Sequence, residues 1–188
     1  MPLRTGRIWR VTPLVAVFAV ALDLSACSGR STPGVLTSAD IPSYLGVRPT
    51  SNGSQSVALG ALTRSRGCRN VRFVVFTQSA QGALQGDPAT AKSLAVLSTA
   101  VSCPDTADAQ SLFGVLVMDS GSGRSIPGLG DDAKLFNVSK RGIRRAFDVV
   151  WRQGNQVDVV SLGGPTNAKR VTTSLTELLA RRAAVNSS

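Results

Sequence analysis

The 188-residue chain has no histidine, a single tyrosine and only three cysteines. Without imidazole, the Ser-His-Asp and Cys-His catalytic arrangements and histidine metal sites are excluded. No two cysteines lie close enough in sequence to suggest a thiolate metal cluster, so neither a metal nor a cofactor is expected. Acidic residues are also scarce, 11 against 21 Lys and Arg, for a formal charge of +10. A transmembrane helix needs about twenty apolar residues, whereas the run Val11 to Leu22 has about twelve. No internal repeat is present.

That short run has the context of an export signal. Arg4, Arg7 and Arg10 form a positive start without an acidic residue, and the apolar stretch follows. Leu24-Ser25-Ala26-Cys27 then matches the bacterial lipobox, in which two small residues precede the cysteine that receives diacylglycerol. The expected organisation is a lipoprotein signal peptide at 1–26, a lipidated N-terminus and flexible tether at 27–36, and a single domain at 37–188. Asp23 is an unusual charge for the end of such a segment; secretion without lipid and an uncleaved anchor are the competing readings. The expected location is the outer face of the cell membrane, with the lipid on Cys27 as the membrane partner.

Setting Cys27 aside leaves Cys68 and Cys103, an even pair for an oxidising compartment. The simple reading is one disulfide, and two buried free thiols are the alternative. Removing 1–26 leaves 18 basic and 10 acidic residues, a charge of +8. For an exported domain this charge points to anionic lipids and acidic envelope polymers, and no nucleic-acid partner is expected.

Thr37 or Ser38 is placed to cap a short helix through Asp40, Ile41, Tyr44 and Leu45, ended by Gly46. Arg48 to Ser56 is turn-like in composition. Strands are expected at Val57–Thr63 and Arg69–Gln78, and a helix from Asp87-Pro88 with Ala91, Leu94, Ala95, Ser98 and Val101 on one face. A strand at Leu112–Met118, a long loop at Asp119–Gly130 and strands at Ala133–Val138, Arg144–Arg152 and Gln156–Leu162 follow. The last two strands form a hairpin turning at Gly154-Asn155. Pro165 to Asn167 opens a final helix with Ala168, Val171, Leu175, Leu178 and Leu179 inward. The class is α+β, a central antiparallel sheet with its helices on one face.

From Ile126 onward, Ile126-Pro127-Gly128-Leu129-Gly130-Asp131-Asp132-Ala133, then Val149-Val150-Trp151-Arg152-Gln153-Gly154-Asn155-Gln156-Val157, Gly163-Gly164 and a closing helix resemble small mycobacterial lipoproteins. The segment is also similar to the extracellular sensor domains of mycobacterial Ser/Thr kinases. The resemblance implies a sheet with helices framing a cleft for an envelope ligand, without catalysis.

Candidate binding residues are the cations Lys140, Arg141, Arg144 and Arg145, suited to phosphate or carboxylate, and Trp151 and Tyr44 as cleft aromatics. The competing readings are a solvated hairpin tip for the cations and core packing for the aromatics. The expected function is non-enzymatic binding of an envelope lipid, glycan or protein. An envelope hydrolase or transferase using Asp131 or Asp132 is the alternative. Those carboxylates are adjacent, and successive residues of a strand point to opposite faces, so one of them is expected to cap or turn the chain, which favours a structural use. The Gly128-Leu129-Gly130 spelling does not follow a strand and so is not a dinucleotide loop.

Overall fold

The computed structural model describes residues 34–54, 67–78, 93–139 and 144–186. The export signal, Cys27, the strand expected at Val57–Thr63 and the Asp87-Pro88 helix start lie outside the described residues, as do Lys140 and Arg141. Seven strands form one sheet: β1 Arg48–Ser54, β2 Arg69–Thr77, β3 Ala95–Ser102, β4 Arg124–Ser125, β5 Asp132–Asn137, β6 Arg145–Gln153 and β7 Gln156–Gly164. Their order is β1-β2-β3-β7-β6-β5-β4 and every pair is antiparallel. Among the described residues two α-helices accompany them, α1 Thr106–Ser120 and α2 Thr173–Val185.

The sheet is buried on both faces, and the helices divide between them. Val160 and Leu162 of β7 pack with Leu175, Leu179, Ala180 and Ala183 of α2. Val157, of opposite parity along β7, packs with Ala109, Leu112 and Phe113 of α1 on the other side. The expected placement of helices on one face is therefore corrected: residues of both parities along the central strands are apolar, so each face needs a cover.

That two-sided burial also explains the segments whose type was misjudged. Ala95–Ser102 is β3 rather than part of a helix. Its small and β-branched residues happen to match helical spacing, but a central strand buried on both faces has the same continuous apolar pattern. Leu112–Met118 is helix rather than strand, because Asp105 caps α1 by accepting the Asp108 backbone N–H at 2.8 Å. Ala109, Leu112 and Phe113 then fall on one buried stripe. Full burial of a side chain such as Leu112 contributes roughly 1.5 to 3 kcal/mol.

Arg48–Ser54 is an edge strand despite its turn-like residues. An edge tolerates Pro49, and the register shifts between Pro49 and Ser51. The expected helix near Tyr44 is two 3-10 turns, Ser38–Asp40 and Ser43–Leu45, closed by Gly46 at φ 66°. The final helix starts at Thr173, later than expected, because the Thr172 side chain caps it by accepting the Leu175 N–H. Leu178 is 41% exposed instead of inward.

The second half follows its expected order: β5, then the β6–β7 hairpin, whose loop opens on Gly154 at φ 57°. Cys68 and Cys103 form the disulfide. Cys103 donates its N–H to the Asn155 carbonyl at 2.8 Å and accepts from Asn155 Nδ2 at 2.9 Å, tying the bridge to the hairpin turn. Closing a loop across 35 positions restricts the unfolded chain by about 3 to 4 kcal/mol in the chain-entropy model. Replacing both Cys68 and Cys103 by Ser should therefore lower the unfolding free energy by about 3 to 4 kcal/mol. Urea denaturation under non-reducing conditions measures this, and an unchanged midpoint would contradict it.

A basic end of the sheet as candidate functional site

Antiparallel pairing brings the end of β2, the starts of β1, β3 and β6, and the end of β7 to one end of the sheet. The register shows this directly: Arg48 lies opposite Thr77, Thr77 opposite Ala95, Ala95 opposite Gly163, and Arg145 opposite Gly164. Beyond these strand ends an open groove of about 290 Å³ is lined by Gln78, Leu94, Pro165, Asn167, Ala168, Lys169 and Arg170. Two bonds fix its rim. Gln78 Nε2 donates to the Leu45 carbonyl at 2.7 Å, and Arg170 donates to the Tyr44 carbonyl. Tyr44 thus stands beside the groove, 57% exposed, on a turn held from both sides.

The electrostatics of this end are one-sided. Arg48, Lys169 and Arg170 are exposed, and Arg144 and Arg145 are half-buried. The described residues of these strand ends and turns, 44–48, 77–78, 93–95, 144–147 and 163–170, include no Asp or Glu. Arg145 also lies over the Phe147 ring, 5.8 Å from its centroid, which holds the guanidinium near the β6 start. Such a concentration of one sign attracts phosphate and carboxylate groups.

The helix expected to open at Pro165 to Asn167 would have carried Lys169 and Arg170 on its outer face, away from any groove. The chain between Pro165 and Thr172 is a turn rather than helix, and that difference places them at the strand ends. Of the sequence-derived candidates, Arg144, Arg145 and Tyr44 come to this end. Trp151 is fully buried in the core on the α2 face.

At the opposite end, Asp131 and Asp132 converge on one guanidinium. Arg152 Nη1 meets Asp131 at 2.8 Å and Nη2 meets Asp132 at 2.9 Å, with the Arg152 side chain only 9% exposed. Asp131 precedes β5 and belongs to the turn after Gly130, the structural use expected of one of the pair, and that turn brings both carboxylates to one guanidinium instead of to opposite faces. Asp131 also accepts the Gly154 N–H at 2.8 Å, so the pair closes the β5–β6–β7 corner. Among the described residues no group of three or more Cys, Asp or Glu is placed to hold a metal ion.

The folded chain superimposes on the crystal structure of the extracellular domain of PknH from Mycobacterium tuberculosis with a TM-score of 0.55. The fold is a shared one. The match covers 82% of this chain and 92% of that domain, at 10% identity. No family model matches the chain, and no curated protein matches it.

Gly130 is the geometric hinge of the Asp131–Arg152 corner. Its φ is 59°, and a Cβ there would run into the Arg152 carbonyl oxygen and approach Trp151 Cδ1 to 3.2 Å. Gly130→Ala should cost about 2 to 4 kcal/mol through backbone strain and overpacking. Thermal denaturation checks this, and a melting temperature equal to that of the unsubstituted protein would contradict it.

Proposed function

We propose that this chain is an exported, lipid-anchored protein whose domain binds an acidic cell-envelope component without transforming it. The anchor is diacylglycerol on Cys27, and the chain from it up to Gly34 is the tether that sets the domain off the outer face of the membrane, shorter than the expected 27–36 because Val35 and Leu36 are buried in the core. The mature chain is basic, and the observation that carries the binding reading is the collection of five cations at one end of the sheet with no described carboxylate among them. The fold likeness to the PknH extracellular domain is compatible with a sensor-like, non-catalytic role outside the cytoplasm.

The recognised chemistry is a phosphate or carboxylate on a lipid head group or glycan. Lys169 and Arg170 meet it at the groove, Arg145 and Arg48 extend the positive surface, and Tyr44 supplies an aromatic face beside it. Asp131 and Asp132 are committed to Arg152, so an acid–base role for them is not part of the reading.

Two substitutions separate anchor from binding. Cys27→Ser in the expressing cell should move the protein from the membrane fraction to the soluble fraction or leave the precursor unprocessed; unchanged processing and membrane retention would contradict the anchor. For binding, the soluble Cys27→Ser protein should sediment with vesicles containing anionic phospholipid and not with neutral phosphatidylcholine vesicles. Lys169→Glu with Arg145→Glu should weaken that association at least about tenfold, given about 1 kcal/mol for each cation near an anionic surface. Equal binding to both vesicle types, or to the doubly substituted protein, would contradict a lipid ligand. Retained binding of soluble acidic glycan alone would assign the same chemistry to a glycan.

A further inference from the structure

Asp158 lies on β7 where the sheet is most deeply covered, with 0% of its surface exposed. One carboxyl oxygen accepts from Gln156 Nε2 at 2.7 Å. The other, Oδ2, is buried without a hydrogen-bond partner. A carboxylate in that position lacks the solvation its charge requires, whereas a neutral acid does not.

The roof over Asp158 is the short N-terminal segment Gly34–Leu36. Gly34 adopts φ 84° and sits so close to the strands that a Cβ would overlap Gln156 Nε2, approach Ala100 Cβ to 2.9 Å and reach Asp158 Oδ1 at 3.3 Å. Few bonds fasten this segment. Gly34 donates its N–H to the Asn186 carbonyl at 3.1 Å, Leu36 donates to Ser98 Oγ at 3.1 Å, and Asn186 Nδ2 donates to the Val35 carbonyl at 3.1 Å. Val35 and Leu36 add buried apolar surface. Among the described residues, this three-residue segment thus covers the carboxyl with backbone held by these bonds and two buried side chains.

We propose that Gly34–Leu36 is a proton-controlled latch, closed while Asp158 is a neutral acid and lifted when Asp158 gives its proton to water and becomes a carboxylate. The inference stands apart from the ligand reading above, since it concerns the other side of the basic end. Lifting the latch frees Gly34–Leu36 from the sheet and adds it to the chain that precedes the domain.

The charged surroundings leave this dependence to Asp158. From β2, Arg72 favours the carboxylate, but its position is one strand beyond Ala100, which stands between the two in register. From β3 and β6 the facing residues are Ser98, Ala100 and Trp151, none of which titrates near neutral pH. On α2, Arg182 donates to the Asp40 carbonyl, while Arg181 binds Glu177 and the Pro127 and Gly128 carbonyls. The Asp40 carboxylate is held by Thr37 and Asn186.

Burial raises the Asp158 carboxyl from 3.8 to about 7, with the Gln156 hydrogen bond and Arg72 opposing the rise. A raised value in the closed form means that closure binds a proton. The closed form is favoured fully below about pH 4, loses its advantage as pH rises to about 7 and changes little beyond. Hydrogen exchange of the Leu36 amide in the full chain, corrected for the intrinsic rate, should lose protection by up to about tenfold per pH unit between about pH 5 and 7. Core amides such as Val149 and Val160 should keep theirs. Constant protection at Leu36, or an equal loss across the core, would overturn the latch. In Asp158→Asn the Leu36 protection should be independent of pH, and a pH-dependent loss like that of the unsubstituted protein would overturn it. A carboxyl carbon titration of the unsubstituted protein needs no variant: a midpoint near 7 supports the latch, and one near 4 overturns it.

Discussion

The pairing of β3 with β7 holds the two halves of the chain together. On one side of that seam lie β2 and β1, and on the other β6, β5 and β4, so no other strand pair joins the N-terminal to the C-terminal part of the sheet. The seam runs unbroken from Ala95 opposite Gly163 to Ser102 opposite Gln156. Its residues are buried on both faces, which obliges the chain to supply two covers. Helix α1 follows β3 directly and closes one face, while α2 follows β7 and closes the other with the Gly34–Leu36 segment. The disulfide and the Asn155 bonds fasten the seam at one end.

The same seam divides the protein chemically. At the disulfide end, charge is consumed internally: Asp131 and Asp132 neutralise Arg152 and close a corner. At the other end, cations from the strand termini and the 165–172 turn gather around an open groove, with Tyr44 fixed at its rim. Between the ends, Asp158 occupies the middle of the seam opposite Ala100. A carboxyl placed there makes closure of the N-terminal segment a matter of protonation. Recognition and latch thus occupy different parts of one sheet, and neither uses the residues that hold the corner.

Local chemistry made much of the second half readable. Alternation in β5, β6 and β7 and the Gly154-Asn155 turn describe interactions between near neighbours, and the structure has them; the disulfide, whose cysteines lie 35 positions apart, was legible only because an even pair was left after Cys27. Segments that depend on distant partners were less readable. The β3 residues pass equally for a helical stripe, and only burial between β2 and β7 makes them a strand. Leu112 to Met118 is apolar enough for a strand, and the Asp105 cap decides otherwise. The basic end was half visible. Arg144, Arg145 and Tyr44 stood out as residue types, whereas Lys169 and Arg170 become neighbours of Tyr44 only through sheet register. Asp158 gave no signal, since one acidic residue in an apolar strand ordinarily marks a solvent face.

The central claim is that the cation-rich end receives an acidic envelope molecule, and native mass spectrometry of the protein purified from its own membrane tests it most directly. The account predicts a bound species carrying phosphate or carboxylate, present on the unsubstituted protein and lost from the Lys169→Glu, Arg145→Glu form. A protein that is bare of any such species, or a doubly substituted form that retains it undiminished, would contradict the account.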